Sequence, residues 1–268
     1  MTADDHTYAF DNALAVQRER LDTLEELFDP GTIRQLDARG VAPGWRCLEV
    51  GAGGGSVAAW LGDRVAPDGS VLATDLDTRW VAELSHPNLE VRVHDVLEDD
   101  LPEGEFDLVH TRLLLAWLRD PRVGLERLIA ALKPGGVLLA EEIDFVSSVP
   151  DPRMDAAPRA LFERVANAHN TVLAEQHSFD PFYGRRVAGD LEDAGLTDTG
   201  SDGRAAMWRG GGPGGRIWRL SIDQLRDPII TSGLMSATEI DAALALCDDP
   251  RLTTMSPVMM AAWGRRPV

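Results

Sequence analysis

Cysteine is nearly missing from this chain: Cys47 and Cys247 are the only two among 268 residues. Two thiols build neither a disulfide scaffold nor a four-thiolate zinc site, so the expected setting is a reducing compartment, the cytoplasm. Positive charge is scarce too. Lys and Arg number 26 against 44 Asp and Glu, a formal charge of −18, and Lys133 is the single lysine. Such a polyanion repels nucleic acid and anionic membrane before a specific contact forms, so neither is an expected partner. No apolar run reaches the roughly 20 residues of a spanning helix. The first ten residues carry Asp4 and Asp5 where a secretory signal needs apolar residues. Histidines 94, 110, 169 and 177 lack metal-ligand spacing, so no metal is expected. Repeats are absent as well. What remains is ordinary globular composition, 44% hydrophobic and 26% charged.

Periodicity then organises the chain. Leu14, Gln17, Leu21, Leu24, Leu27 and Phe28 recur at helical spacing until Asp29-Pro30-Gly31, which predicts a stop, and a second helix over residues 32–39 ends at Gly40. Residues 46–50 form a short apolar run closed by glycines, a buried strand. Helix is expected at 56–61, strands at 69–74, 91–93 and 106–110, helix at 125–132, a stop at Lys133-Pro134-Gly135-Gly136, and strand at 137–143. This alternation predicts an α/β fold with a doubly wound, mostly parallel sheet. Farther on come helices at 157–173 and 185–194, with Gly195 as C-cap, and strands near 202–208 and 258–263. The insert over 209–254, with two short helices, reads as a lid or wall. Gly210 to Gly215 has no following Lys-Ser/Thr and reads as a flexible hinge.

The strongest signal is Glu49-Val50-Gly51-Ala52-Gly53-Gly54-Gly55-Ser56, where a strand turns into a helix. Glycines there let backbone approach a ligand, and the helix start offers free N–H groups. Alone, the loop is only a tight turn. Asp75 ends the second strand at the distance where such sites hydrogen-bond a ribose. Asp95 and Val96 follow the third, so Glu49, Asp75 and Asp95 stand at three successive strand ends; Asp77 reads as a solvated loop acid. A nicotinamide fingerprint requires Gly or Ala at 56, where this chain has Ser56, and Glu49 would repel a pyrophosphate. A cationic sulfonium ligand tolerates that acid, which favours S-adenosylmethionine.

Glu49-x-Gly51-x-Gly53-x-Gly55, Asp75, Asp95-Val96, Phe106-Asp107-Leu108-Val109 and Lys133-Pro134-Gly135-Gly136 resemble, in order, the motifs of class I S-adenosylmethionine-dependent methyltransferases. Asp29-Pro30-Gly31-Thr32 and Ala261-Ala262-Trp263-Gly264-Arg265 are similar to the small-molecule type, the menaquinone/ubiquinone C-methyltransferases and natural-product tailoring enzymes. The resemblance implies a Rossmann-like seven-stranded sheet with an N-terminal helical cap. It places Glu49, Gly51, Gly53 and Gly55 at the methionine end, Asp75 on the ribose, Asp95 and the Val96 N–H on adenine, and His110 near the sulfonium. One methyltransferase domain is expected over 1–268: a cap at 1–44, a cofactor core at 45–145 and a substrate side at 146–268.

Methyl transfer needs alignment and exclusion of water, and a base only where the acceptor loses a proton. Glu142 and Asp144 share a face at the end of the fifth strand. His110, His169 and His177 are the other candidate catalytic groups, each with a plain alternative as a pocket wall or a buried polar residue. Arg112 either anchors an acidic substrate or pairs with nearby carboxylates. The N-terminal helices, with Tyr8 and Phe10 ahead of them, suit a cap over the cofactor, while Phe179, Phe182, Tyr183, Trp208 and Trp218 offer aromatic surface to an acceptor or serve as core. The expected partner is a small-molecule acceptor, with O- or N-methylation of an aromatic or natural-product-like molecule ahead of C-methylation of a quinone precursor. A non-methylating binding protein and an NAD(P) oxidoreductase are the rivals, and a homodimer stays open.

Overall fold

Short apolar runs bounded by glycine fold into the strands that the periodicity predicts. The computed structural model describes residues 9–10, 15–177 and 179–268. Its strands are β1 (Arg46–Val50), β2 (Ser70–Asp75), β3 (Leu89–Val93), β4 (Phe106–Arg112), β5 (Leu132–Asp144), β6 (Thr197–Arg204), β7 (Met207–Arg209), β8 (Thr253–Met255) and β9 (Val258–Arg265). Its helices are α1 (Ala15–Ala38), α2 (Ser56–Val65), α3 (Pro121–Ala131), α4 (Ala156–Gln176), α5 (Val187–Asp193), α6 (Pro213–Gln224), α7 (Arg226–Thr231) and α8 (Ala237–Asp248). The chain divides into two compact units. A sheet unit takes Phe28–Ile143, Tyr183–Gly203 and Met259–Val268; a helical unit takes the chain up to Leu27, Asp144–Phe182 and Arg204–Val258.

Seven strands form the expected sheet, in the order β3-β2-β1-β4-β5-β9-β6. The pairs β1–β2, β2–β3, β1–β4 and β4–β5 are parallel. Chain order reverses between β1 and β4, and such a switch point opens a crevice at the carboxyl ends of the strands. The sheet is buried against helices: Leu36 of α1 and Val57, Leu61 and Val65 of α2 pack with Cys47, Val71, Leu108, Val137 and Leu139. Parallel strands covered in this way carry continuous apolar runs, as Leu138-Leu139-Ala140 does.

Several boundaries differ from the sequence reading. Helix α1 does not stop at Asp29-Pro30-Gly31 but carries Pro30 inside it. Proline removes one helical hydrogen bond; here burial of Thr32 and Leu36 and the ties of Asp29 and Thr32 to Arg112 hold the turn. Strand β5 starts before the glycines, at Leu132, and absorbs Lys133-Pro134-Gly135-Gly136 in an irregularity: Phe106 faces Leu132, yet Leu108 faces Val137. The strand expected near 202–208 is two strands. β6 joins the large sheet, whereas β7 pairs antiparallel with β8 in the helical unit.

The insert holds three helices, not two: α6, α7 and α8. Gly210 to Gly215 is no hinge, because its glycines are close-packed. A Cβ on Gly214 would lie 2.3 Å from the Trp208 ring, one on Gly215 2.4 Å from the Cys247 carbonyl oxygen, and one on Gly210 2.1 Å from that of Asp249. They are glycine because neighbours press against them. No helix among the described residues is long and apolar enough to cross a membrane.

Candidate active site

The bend after β1 is built on left-handed backbone. Gly51, Gly53 and Gly55 have φ of 76°, 54° and 91°, values that side chains disfavour. The loop is tied to β2: Gly51 N–H and Ala52 N–H donate to the Thr74 carbonyl at 2.8 and 3.1 Å. Gly53 N–H donates to Asp75 Oδ2 at 2.9 Å, and Asp77 N–H to Asp75 Oδ1 at 3.1 Å. Burial raises the Asp75 pKa, with these backbone bonds acting against it. Gly55 caps α2 without a side-chain bond, so the N–H groups of the first turn keep their capacity for a ligand. A Cβ on Gly55 would lie 2.5 Å from Leu84 Cδ1. Asp95 Oδ1 accepts from Leu97 N–H at 2.8 Å, and Val96 beside it is buried.

Beneath the loop lies a buried charge network. In parallel register Glu49 of β1 faces His110 of β4, and His110 faces Leu139 of β5, two residues before Glu141. Period-two alternation therefore puts Glu49, His110 and Glu141 on one face. His110 Nδ1 lies 2.6 Å from Glu49 Oε2, and Nε2 lies 3.4 Å from Glu141 Oε2. All three are buried, His110 and Glu141 completely. Burial alone would favour the neutral ring, but the two carboxylates outweigh it and raise the His110 pKa to about 9. Burial likewise opposes charge on Glu141, yet the bonds from His110 and Thr32 and the charge of Arg112 lower its pKa. Arg112 Nη1 donates to Asp29 Oδ1 and to Thr32 Oγ1, both at 2.9 Å. Counting Arg112 with Asp29 and the imidazolium with one glutamate, the network holds one net negative charge.

At the end of β4 the backbone is strained. Leu113 has φ 57°, a conformation costing a bulky residue about 1–3 kcal/mol. The turn brings Leu114 against the glycine loop, 3.4 Å from where a Cβ on Gly51 would stand. Glu142, fully buried, stabilises it: Oε1 accepts from Leu114 N–H at 3.1 Å and from Leu115 N–H at 2.7 Å. Both Glu142 and the His110 ring are thus engaged by the sheet unit itself.

Asp144, His169 and His177 belong to the helical unit. Asp144 Oδ1 accepts from Val146 N–H at 2.9 Å and caps a short 3-10 turn. His169 is buried among Phe145 and Trp218, with ring centroids 5.4 and 5.2 Å away. Burial lowers its pKa to about 4; the Asn170 bond opposes this and the charge of Arg20 adds to it. His177 is the half-exposed C-cap of α4. Phe179 and Trp218 join the aromatic cluster around Phe145, Trp208 packs on Gly214, and Phe182 is exposed. Tyr183 is core of the sheet unit. Tyr8 and Leu14 lie outside the described residues.

Reading the sequence missed Glu141 and Thr32. The strand register pairing β4 with β5 was the signal for Glu141; Thr32 lay in a helix thought to begin anew. Sheet-unit residues suit S-adenosylmethionine. Its glycine bend offers backbone N–H groups, an acid stands at each of three strand ends, and the buried network beneath is anionic, a donor set matched to a cation and a ribose and mismatched to a diphosphate.

A family model described as a methyltransferase domain matches residues 11–199. Methyltransferase str3 of Strobilurus tenacellus is 32% identical over 152 residues, 56% of this chain and 52% of that protein. The chain spans about half the length of str3 and of str2 from the same fungus, 52% and 51%. The ubiquinone/menaquinone C-methyltransferase UbiE of Vibrio vulnificus (strain YJ016) is 26% identical over 217 residues, 71% of this chain and 82% of that protein. Among solved structures, phosphoethanolamine N-methyltransferase 2 of Haemonchus contortus, with phosphomonomethylethanolamine and S-adenosylhomocysteine, has the same fold: TM-score 0.58 at 14% identity, covering 97% of this chain and 62% of that one. From motif order, strand-end acids and the domain match together, it follows that this chain belongs to the class I S-adenosylmethionine-dependent methyltransferases.

Proposed function

We propose that the chain transfers a methyl group from S-adenosylmethionine to a small organic acceptor, at O or N of an aromatic or natural-product-like molecule. The observation that carries the cofactor half is the net negative Glu49–His110–Glu141 network under the glycine bend. When bound, the cofactor supplies a methyl group already activated on sulfonium. In this reading the backbone of Gly51, Gly53 and Gly55 and the charge of Glu49 hold its methionine end. Asp75 takes the ribose, and Asp95 with the Val96 N–H takes adenine. His110 acts through Glu49, orienting that carboxylate, because both its ring nitrogens face glutamates. Alignment and exclusion of water do most of the work. Where the acceptor loses a proton, Glu142 and Asp144 are the bases to test, followed by His169 and His177.

The reading includes a cytoplasmic protein with a single methyltransferase domain of cap, core and substrate side. C-methylation of a quinone precursor is the second reading, favoured by the likeness to UbiE over 217 residues. Calorimetry with S-adenosylhomocysteine and with NAD separates cofactors, and transfer of labelled methyl from S-adenosylmethionine to a panel of phenols, amines and quinols separates acceptors. Uptake of NAD without the homocysteine ligand overturns the reading; label on a quinol carbon selects the second.

A further inference from the structure

Three consecutive backbone N–H groups after β4 are held by two adjacent residues of β5. Leu113 N–H donates to the Glu141 carbonyl at 2.8 Å, and the N–H groups of Leu114 and Leu115 donate to Glu142 Oε1 at 3.1 and 2.7 Å. The first bond continues the strand ladder; the other two depend on one side-chain oxygen. Leu113 has φ 57°, a left-handed conformation that a leucine keeps only where its surroundings impose it. The turn sets the position of Leu114. Its Cδ1, Cβ and Cγ lie 3.4, 3.5 and 3.7 Å from where a Cβ on Gly51 would stand. Gly51 N–H is bonded to the Thr74 carbonyl at 2.8 Å, so the first glycine of the bend is fixed at two points, one on β2 and one on this turn.

Glu142 is better placed as an anchor than as the base considered above. It is completely buried, and two backbone donors already occupy its Oε1. Proton abstraction requires reach to the acceptor. A carboxylate oxygen that accepts two N–H groups instead supports a turn whose Leu115 is buried and whose donors would otherwise be left unbonded. We propose that Glu142 is a positioning residue for the cofactor: it holds the strained turn so that Leu114 packs on Gly51 and keeps the glycine bend shaped for the methionine end. The assignment rests on the methyltransferase reading, and every residue in it belongs to the sheet unit.

The test uses the full chain, with S-adenosylhomocysteine titrated by calorimetry well below the melting temperature. Glu142→Leu removes the acceptor and should weaken binding about tenfold, the worth of a buried donor left unbonded. Glu142→Gln keeps an acceptor oxygen and should retain most of the affinity. Leu114→Ala removes the contact with Gly51 and should weaken binding by a factor similar to that of Glu142→Leu. Because Glu142 acts through Leu114, the double variant should lose no more than the larger single loss, as coupled residues are not additive. Wild-type affinity in Glu142→Leu, a glutamine variant as weak as the leucine variant, or single losses that multiply in the double variant overturns the proposal. If Glu142→Leu fails to fold, Leu114→Ala decides, and wild-type affinity there overturns it. Amide exchange at Gly51 and Ala52, measured without ligand, should quicken in Glu142→Leu and Leu114→Ala and not in Glu142→Gln; unchanged rates in all three also overturn it. Should the wild-type chain ignore S-adenosylhomocysteine, the methyltransferase reading fails, while the exchange rates still decide whether Glu142 acts on the bend.

Discussion

Replacing His110 with glutamine tests the buried network most directly. The imidazole stands completely buried, 2.6 Å from Glu49 and 3.4 Å from Glu141. Its pKa of about 9, against about 6.5 in the unfolded chain, corresponds to about 3 kcal/mol of stability at neutral pH. Breaking a buried ion pair costs about 3–5 kcal/mol, a consistent range. A glutamine can donate to one carboxylate but cannot neutralise either, so the loss at pH 7 should be about 3–4 kcal/mol. At about 2 °C per kcal/mol for a chain of this length, the melting temperature falls by about 6–8 °C. The sign follows from linkage. Folding raises this pKa, so the contribution is fully present below about pH 6.5 and disappears as pH rises through 9. The gap between wild type and variant must therefore close in alkali, and Glu141→Gln placed in the variant should restore part of the loss. Thermal and urea midpoints between pH 6 and 10 read all of this. A loss under about 1 kcal/mol at pH 7, or a gap of constant size across that range, would refute the charged-network argument.

His169 should act at the other end of the pH scale. Folding lowers its pKa to about 4, so its share of stability, about 3 kcal/mol, is complete above pH 6.5 and is lost as pH falls toward 4. His169→Phe should flatten that acid limb, and an unchanged limb would place its origin in the carboxylates. Asp75→Ala frees the Gly53 and Asp77 N–H groups and should weaken S-adenosylhomocysteine by tenfold or more in calorimetry, with circular dichroism unaltered. Gly55→Ala should cost binding and stability together, since φ is 91° and the new methyl meets Leu84 at 2.5 Å; wild-type affinity would contradict the close-approach argument. Gly214→Ala pushes a methyl into the Trp208 ring and should cost about 2 kcal/mol in thermal melts, whereas a true hinge glycine would tolerate it.

Local chemistry made much of this protein legible. Val71-Leu72-Ala73 and Leu138-Leu139-Ala140 are apolar on both faces because parallel strands are covered twice, and left-handed glycines after such a strand announce a ligand-facing bend. The alternation of these signals was enough for the α/β sheet. Signals that depend on neighbours distant in sequence were not legible. Pro30 spells a stop, yet partners such as Arg112, 80 residues away from Thr32, hold the helix through it. Gly210 to Gly215 spells flexibility until Trp208 and the Cys247 carbonyl are seen pressing on it.

Glu141 makes the same point at the site. Adjacent Glu141 and Glu142 differ only in the face they take, and the register of β4 against β5 assigns one to His110 and the other to a backbone turn. Sequence by itself determined the existence of strands β1 to β5, the glycine bend and the acids at the strand ends, because each follows from steric and hydrophobic rules acting within a few residues. Tertiary structure alone decided which charges are buried together, and so that His110 is held as a cation, because pairing and desolvation depend on distances between strands that no local pattern encodes.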